Sequence, residues 1–205
     1  MVERHERGNN SQIVMSKCQI LKVDFGAITA DNVEQLRKIN VASFPIQYNE
    51  SFYQDILKRG NEALNKFAYW NGFVVGALCT RFEEMKNGKR RLYIMTLAVL
   101  AAYRGRNIGS QLLQSVLDYC VEHQIASEIA LHVQISNRDA IRFYTERFNF
   151  HQGEMVENYY RRIDPPHCYL LFKSLERLPT DFPEADDTEV NETNEIEAKV
   201  ISSPS

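Results

Sequence analysis

The 205-residue chain has no apolar run long enough to span a bilayer. Its apolar stretches, such as residues 73–78, have the length of strands. The first ten residues are charged and polar, so we expect no secretory signal there. Cysteine is scarce. Cys18, Cys79, Cys120 and Cys168 are scattered, and none forms the C-x-x-C spacing of a zinc or redox site. We therefore expect free thiols, no bound metal and a cytosolic protein, with the nucleus also open to it. No segment repeats. Neither sign of charge dominates, and the net charge is −3. That balance is uneven along the chain: residues 176–205 carry a net −7, which leaves +4 on residues 1–175. A bias of that size is too weak to argue for nucleic acid, and it suits an anionic cofactor.

What is present is enough for a substantial core, with 44% hydrophobic and 11% aromatic residues. The length fits one domain with tails. We expect a disordered arm over residues 1–16, a folded domain over 17–175 and a disordered acidic tail over 176–205. The tail has too few large apolar groups to offset the entropy of ordering it. Within the domain, apolar alternation predicts a first strand over 18–25. Thr29 is placed to cap a helix bearing Val33, Leu36 and Ile39. Asn49 is placed to cap a second, with Phe52, Tyr53, Ile56 and Leu57, ended by Gly60. Asn71-Gly72 between two apolar runs predicts a hairpin. A fourth strand follows over 91–100. Apolar spacing predicts a helix over 108–123, a buried strand over 129–133 and a helix capped by Asn137 running to Arg147. Two more strands are expected near 150–160 and 168–173. The order implies an α/β (α+β) fold with a mixed sheet.

The chemistry concentrates in residues 97–113, where an apolar strand enters a loop with Arg104, Gly105, Arg106 and Gly109, and a helix begins at once. Unsatisfied N–H groups at a helix start, together with its dipole, attract anions. A pyrophosphate fits such a site. An ordinary strand-to-helix connection with solvated arginines has the same appearance. A lone Tyr93 on a strand and a lone His132 in an apolar run read, by themselves, more often as core residues than as groups that orient water and accept a proton.

The loop Arg104-Gly105-Arg106-Asn107-Ile108-Gly109 resembles the R/Q-x-x-G-x-G/A acetyl-CoA loop of the GNAT superfamily of acyl-CoA N-acyltransferases. Asn107 stands where that motif has glycine. Asparagine tolerates a left-handed backbone, so the loop shape can persist at a cost of about 1 kcal/mol. Its side chain stands where backbone approaches phosphate, and on that ground we expect Asn107→Gly to tighten cofactor binding. Four further segments resemble the N-alpha-acetyltransferases of the NatE catalytic-subunit (San) type. These are residues 44–49 (FPIQYN), 91–97 (RLYIMTL), 131–137 (LHVQISN) and 158–163 (NYYRRI), and residues 140–144 (AIRFY) fit too. The likeness spans residues 17–173. Phe148-Asn149-Phe150 departs from the usual Phe-Gly-Phe, one residue later than expected after Tyr144, again with asparagine at a helix end.

The resemblance implies roles. Tyr93 and His132 match the water-relayed general base. Tyr144 matches a tyrosine near the leaving sulfur. Leu97, Ala98 and Val99, the loop from Arg104 through Ile108, Gly109 and Ser110, and Asn137 with Tyr144 match positions that bind acetyl-CoA. Phe44, Pro45, Ile46, Tyr48 and Met95, with Tyr159, Tyr160 and Ile163 on an opposing hairpin wall, match the substrate pocket. The implied substrate is a protein N-terminus with retained Met followed by an apolar residue. The implied assembly is with the NatA auxiliary and catalytic subunits on the ribosome. Transfer to protein lysine, or service as a catalytically weak subunit, are the competing readings.

Overall fold

The computed structural model describes residues 19–58 and 61–175. In chain order it contains β1 (Asp24–Ala27), α1 (Val33–Ser43), α2 (Glu50–Lys58), β2 (Lys66–Trp70), β3 (Phe73–Glu84) and β4 (Arg90–Val99). These are followed by α3 (Ile108–His123), β5 (Glu128–Gln134), α4 (Arg138–Phe148), β6 (His151–Val156) and β7 (Cys168–Ser174). The strands form one sheet in the order β1-β2-β3-β4-β5-β7-β6. All neighbours are antiparallel except β4 and β5. The α/β mixed sheet read from the sequence is therefore present.

Two packed layers explain why this sheet is stable. On one face, Leu112, Leu113, Val116 and Cys120 of α3 share a buried cluster with Val75, Leu78, Leu92 and Ile94. On the other, Leu36 and Ile39 of α1 and Phe52, Tyr53 and Ile56 of α2 cover Phe67, Ala77 and Cys79. Each large apolar side chain so buried contributes about 1.5–3 kcal/mol relative to exposure. Asn71 and Gly72 both take positive φ (49° and 78°). That is the geometry of a two-residue hairpin turn, and it pairs Trp70 with Phe73. Gly76 seats α3: a Cβ there would stand 2.9 Å from the carbonyl oxygen of Ala98 and 3.3 Å from Leu112.

Three sequence expectations change, and a fourth lies outside the described residues. The first strand is shorter and later, Asp24–Ala27; Cys18 lies outside the described residues. Leu21 and Val23 are buried, but Ile20 and Phe25 are exposed. Leu21 and Val23 are held without strand pairing, by the side chain of Gln111: its Nε2 donates to the Leu21 carbonyl and its Oε1 accepts from the Val23 N–H. Thr29 does not cap α1. The Asn32 side chain turns back to accept from the Thr29 N–H and to donate to the Ala27 carbonyl, so the helix starts only at Val33. Tyr159 and Tyr160 are not in a strand, because β6 ends at Val156. The expected stop of α2 at Gly60 lies outside the described residues. By contrast, Asn49 accepts from the Phe52 N–H at the start of α2, and Asn137 accepts from the Ala140 N–H at the start of α4. Asn149 ends α4 with a left-handed φ of 55°.

Candidate active site

The parallel pair β4–β5 is short. Its register covers Arg91 with Glu128, Leu92 with Ile129 and Tyr93 with Ala130, and then stops. Both strands run on, β4 to Val99 and β5 to Gln134. The sheet is therefore open beyond Tyr93, with backbone groups on each side that have no cross-strand partner in this pair. The register of β3 against β4 skips Met95, between Ile94 opposite Thr80 and Thr96 opposite Cys79. Such a bulge re-aims the side chains that follow it. As a result Met95 and Ala98 belong to the α1–α2 side, whereas Leu97 and Val99 pack on the α3 side.

Tyr93 and His132 meet at this opening. The Tyr93 hydroxyl is 2.9 Å from Nδ1 of His132 and 3.4 Å from the hydroxyl of Tyr159. The rings of His132 and Tyr159 stack at 4.3 Å with 20° between planes. The Arg81 guanidinium lies 4.8 Å from the centroid of the Tyr93 ring and pairs with Glu83 at 2.5 Å. Burial first, and then the charges of Arg91 and Arg81, together lower the His132 pKa to about 4. His132 is thus neutral at physiological pH. Burial, reinforced by Tyr159, pushes the Tyr93 phenol well above 10, so it keeps its proton and serves as a donor.

The wall opposite is aromatic. Phe44 meets Tyr48 edge-on at 5.8 Å, and Tyr48 packs on Phe52 at 4.5 Å. Burial pushes the phenols of Tyr48 and Tyr160 up, and the neighbouring Tyr159 adds to the rise in both. The 157–167 loop is pinned to β5. The Gln134 side chain donates to the Pro165 carbonyl, and the loop closes on itself where the Tyr160 N–H donates to the Pro166 carbonyl and the Asn158 N–H to Nδ1 of His167. Tyr159 and Tyr160 meet at 4.9 Å, nearly perpendicular. Pro45 is exposed on the 44–48 loop, whereas Ile46 there and Ile163 on the 157–167 loop are half-buried.

On the α3 side lies the loop from Arg104 to Ser110. Gly105 and Asn107 both have left-handed backbone, with φ of 75° and 68°. Asparagine therefore keeps the shape for which glycine is the usual residue. The Arg104 side chain donates to the Val99 carbonyl, and the Arg106 carbonyl accepts from Leu21. The N–H groups of Ile108, Gly109 and Ser110 head α3 and have no partner within the helix. The Ser110 hydroxyl is buried there without a hydrogen-bond partner. A phosphate at this end would satisfy all of these groups. Tyr144 is placed differently from the others. It is 5% exposed and packs edge-on against Phe143 and Phe150, so its ring is part of the α3-side core. The Asn137 side-chain oxygen is used in capping α4.

The comparisons fit this geometry. Residues 33–150 match the model of the acetyltransferase (GNAT) family. N-alpha-acetyltransferase 50 of Danio rerio is 45% identical over 154 residues, covering 75% of this chain and 89% of that protein. The chain belongs to the GNAT acetyltransferase family, among its N-alpha-acetyltransferases. The probable N-acetyltransferase san of Drosophila melanogaster is 41% identical, covering 76% of this chain and 82% of that one. The solved structure of Arabidopsis thaliana Naa50 in complex with the bisubstrate analogue CoA-Ac-MVNAL superposes with a TM-score of 0.68 at 43% identity, covering 74% and 98% of the two chains. Arabidopsis NAA60 in complex with acetyl-CoA, at 24% identity and TM-score 0.63, shares the fold. The enzyme is an acetyl-CoA-dependent acetyltransferase, and its sheet and helices are the GNAT fold.

Three participants escaped the sequence reading. Arg81 is the cross-strand partner of Tyr93, a relation that follows from the hairpin register once β3 and β4 are aligned. Arg91 pairs with Glu128 at 2.6 Å and adds to the field on His132. Arg147 reaches the 104–110 loop from α4. A groove of about 550 Å³ lies between the C-terminal half of α3 and the end of α4, lined by Leu117, Val121, Phe148 and Leu175. It is away from Tyr93 and His132. Among the described residues no helix is long and apolar enough to cross a membrane, and no group of three His, Cys, Asp or Glu is placed to hold a metal.

Proposed function

We propose that this enzyme acetylates the α-amino group of proteins that begin with Met followed by an apolar residue. The observation that carries the reading is the buried Tyr93–His132 pair, 2.9 Å apart at the opening of the sheet, where burial keeps the imidazole a weak base. A base with a pKa of about 4 cannot strip the proton from a lysine ammonium near 10.4. An α-amine near 8 already has roughly a tenth of its molecules neutral at pH 7, about three-hundred-fold more than lysine. The site therefore suits an amine that arrives neutral.

Bound acetyl-CoA supplies a thioester whose carbonyl carbon accepts the amine and whose sulfur leaves with the bonding electrons. Once nitrogen has bonded to that carbon, its remaining N–H protons are far more acidic, and a weak base suffices to take one. Nδ1 of His132 is the final acceptor, reached by relay: Tyr93 hands its phenolic proton to Nδ1 as its oxygen takes one from the amine nitrogen or from an intervening water. Ile108, Gly109 and Ser110 offer N–H groups, and Ser110 its hydroxyl, to the pyrophosphate. Arg104 and Arg106 add charge. The open edge of β4 beyond Tyr93, at Leu97, Ala98 and Val99, offers backbone groups to the pantetheine amides and the thioester oxygen. Tyr144 is assigned to the sulfur side on the strength of the family resemblance.

On the α1–α2 side, Phe44, Pro45, Ile46, Tyr48 and Met95 enclose the first residue, and Tyr159, Tyr160 and Ile163 close over the peptide. Tyrosines suit this, with apolar faces for a Met side chain and hydroxyls for backbone. The relative solved with CoA-Ac-MVNAL carries a peptide beginning Met-Val, which supports the class of first and second residue. The partners this reading implies are protein N-termini, with the NatA subunits on the ribosome as the assembly where nascent ones are met. Buried, unpaired Cys79, Cys120 and Cys168 fit a reducing compartment, the cytosol or nucleus.

The deciding experiment is acetylation of an N-terminal peptide library by the purified chain, with His132→Ala as control. Met-Leu-type peptides are expected to lead. No turnover on them, with robust turnover on N-blocked lysine peptides, would overturn the assignment.

A further inference from the structure

Asn107 differs from the family's glycine in having a side chain, and that side chain has a partner. An Nη of Arg147, in the last turn of α4, donates to Oδ1 of Asn107. The rest of Asn107 is fixed independently. Its backbone is left-handed, its carbonyl accepts from the N–H and the Nε2 of Gln111, and the adjoining Arg106 carbonyl accepts from Leu21. The amide oxygen is thus a fixed point on the rim of the loop. Arg147 is exposed, and among the described residues no carboxylate pairs with it. A neutral amide oxygen holds its guanidinium without cancelling its charge, and one bond leaves the other N–H groups of the fork available.

We infer that Arg147, positioned by Asn107, is a phosphate-binding residue for the CoA co-substrate, completing a rim with Arg104 and Arg106. This rests on the reading that the 104–110 loop holds the phosphates. It reverses the direction expected from sequence alone. Asn107→Gly relaxes the backbone but releases Arg147, so binding weakens. The two departures noted in the sequence, asparagine for glycine and the extra residue after Tyr144, then act together: one supplies the anchor and the other lies in the stretch that carries the arginine.

The test is calorimetric binding of CoA and of 3′-dephospho-CoA to the full chain across a salt series. Arg147→Ala is expected to weaken CoA roughly ten-fold and to flatten the salt dependence, with unfolding temperature unchanged. Asn107→Gly is expected to weaken CoA several-fold in the wild-type background and not at all in Arg147→Ala. Arg147→Lys, which keeps the charge but loses the fork, binds between the two. Equal losses for both ligands place the contact on the pyrophosphate, losses confined to CoA place it on the 3′-phosphate, and both support the inference. Unchanged affinity in Arg147→Ala overturns it, as does an Asn107→Gly effect that persists without Arg147 or that tightens binding. An Arg104→Ala/Arg106→Ala double variant separates the failures. If it loses CoA while Arg147→Ala does not, only this inference falls; if neither loses CoA, the reading of the loop falls with it.

Discussion

The hydroxyl of Tyr93 stands 2.9 Å from Nδ1 of His132, and burial moves the two pKa values apart, the phenol up and the imidazole down to about 4. Neither group titrates between pH 6 and 9. The pH dependence of kcat/KM should then belong to the substrate amine. It is expected to rise up to about pH 8 and level off, following the α-amine. A second limb near 6.5, absent in His132→Ala, would show that the imidazole titrates as an ordinary exposed one.

The same pair predicts how activity is lost. His132→Ala removes the acceptor and should lower kcat by roughly 10²- to 10⁴-fold, the usual contribution of a positioned acid or base. Tyr93→Phe keeps the ring beneath Arg81 and removes only the donor, so a similar direction and a smaller drop are expected. CoA affinity, measured separately, should be unchanged in both, because neither residue belongs to the 104–110 loop. A parallel loss of CoA affinity would mean that these residues support the fold of the cleft instead.

A depressed histidine is also a statement about stability. The unfolded chain binds a proton on His132 near pH 6.5, whereas the folded chain resists it until about pH 4. Between those values the unfolded state holds more protons, so stability falls as pH falls, by at most about 1.4 kcal/mol per pH unit. Above 6.5 the contribution is complete. Urea unfolding of wild type and His132→Gln from pH 7 to 4.5 should show a flatter slope in the variant. Identical slopes would place the imidazole in contact with water.

Legibility tracked the distance over which an element is decided. The bounds of α3 followed from apolar spacing, and the β2–β3 hairpin from Asn71-Gly72, because each rests on local geometry. Asn49 and Asn137 were readable as caps for the same reason. Thr29 was not, since Asn32 was free to turn its side chain backward instead of capping α1. Leu21 and Val23 are buried through Gln111, ninety residues from Leu21 along the chain, and no strand pattern announces that. The meeting of Tyr93 with His132 depends on the β4–β5 register, which a crossover through α3 decides. Only the family resemblance brought the two together beforehand. Nothing local to Asn107 shows that its side chain has a partner, because that partner, Arg147, is forty residues away.

Ser110 offers a test in which stability and binding move in opposite directions. It is 7% exposed at the third position of α3, and its hydroxyl has no hydrogen-bond partner. Burying an unmatched hydroxyl costs about 1–3 kcal/mol. Alanine removes that cost and leaves only a small void, so Ser110→Ala is expected to unfold at the same or higher urea concentration than wild type. If the hydroxyl is kept for a phosphate oxygen, acetyl-CoA affinity should fall roughly three- to ten-fold in the same variant, a single neutral hydrogen bond. The two measurements separate a binding residue from a structural one. A less stable variant with unchanged affinity would assign Ser110 to the packing of α3 against the sheet and leave the N–H groups of Ile108, Gly109 and Ser110 as the phosphate donors of the helix end.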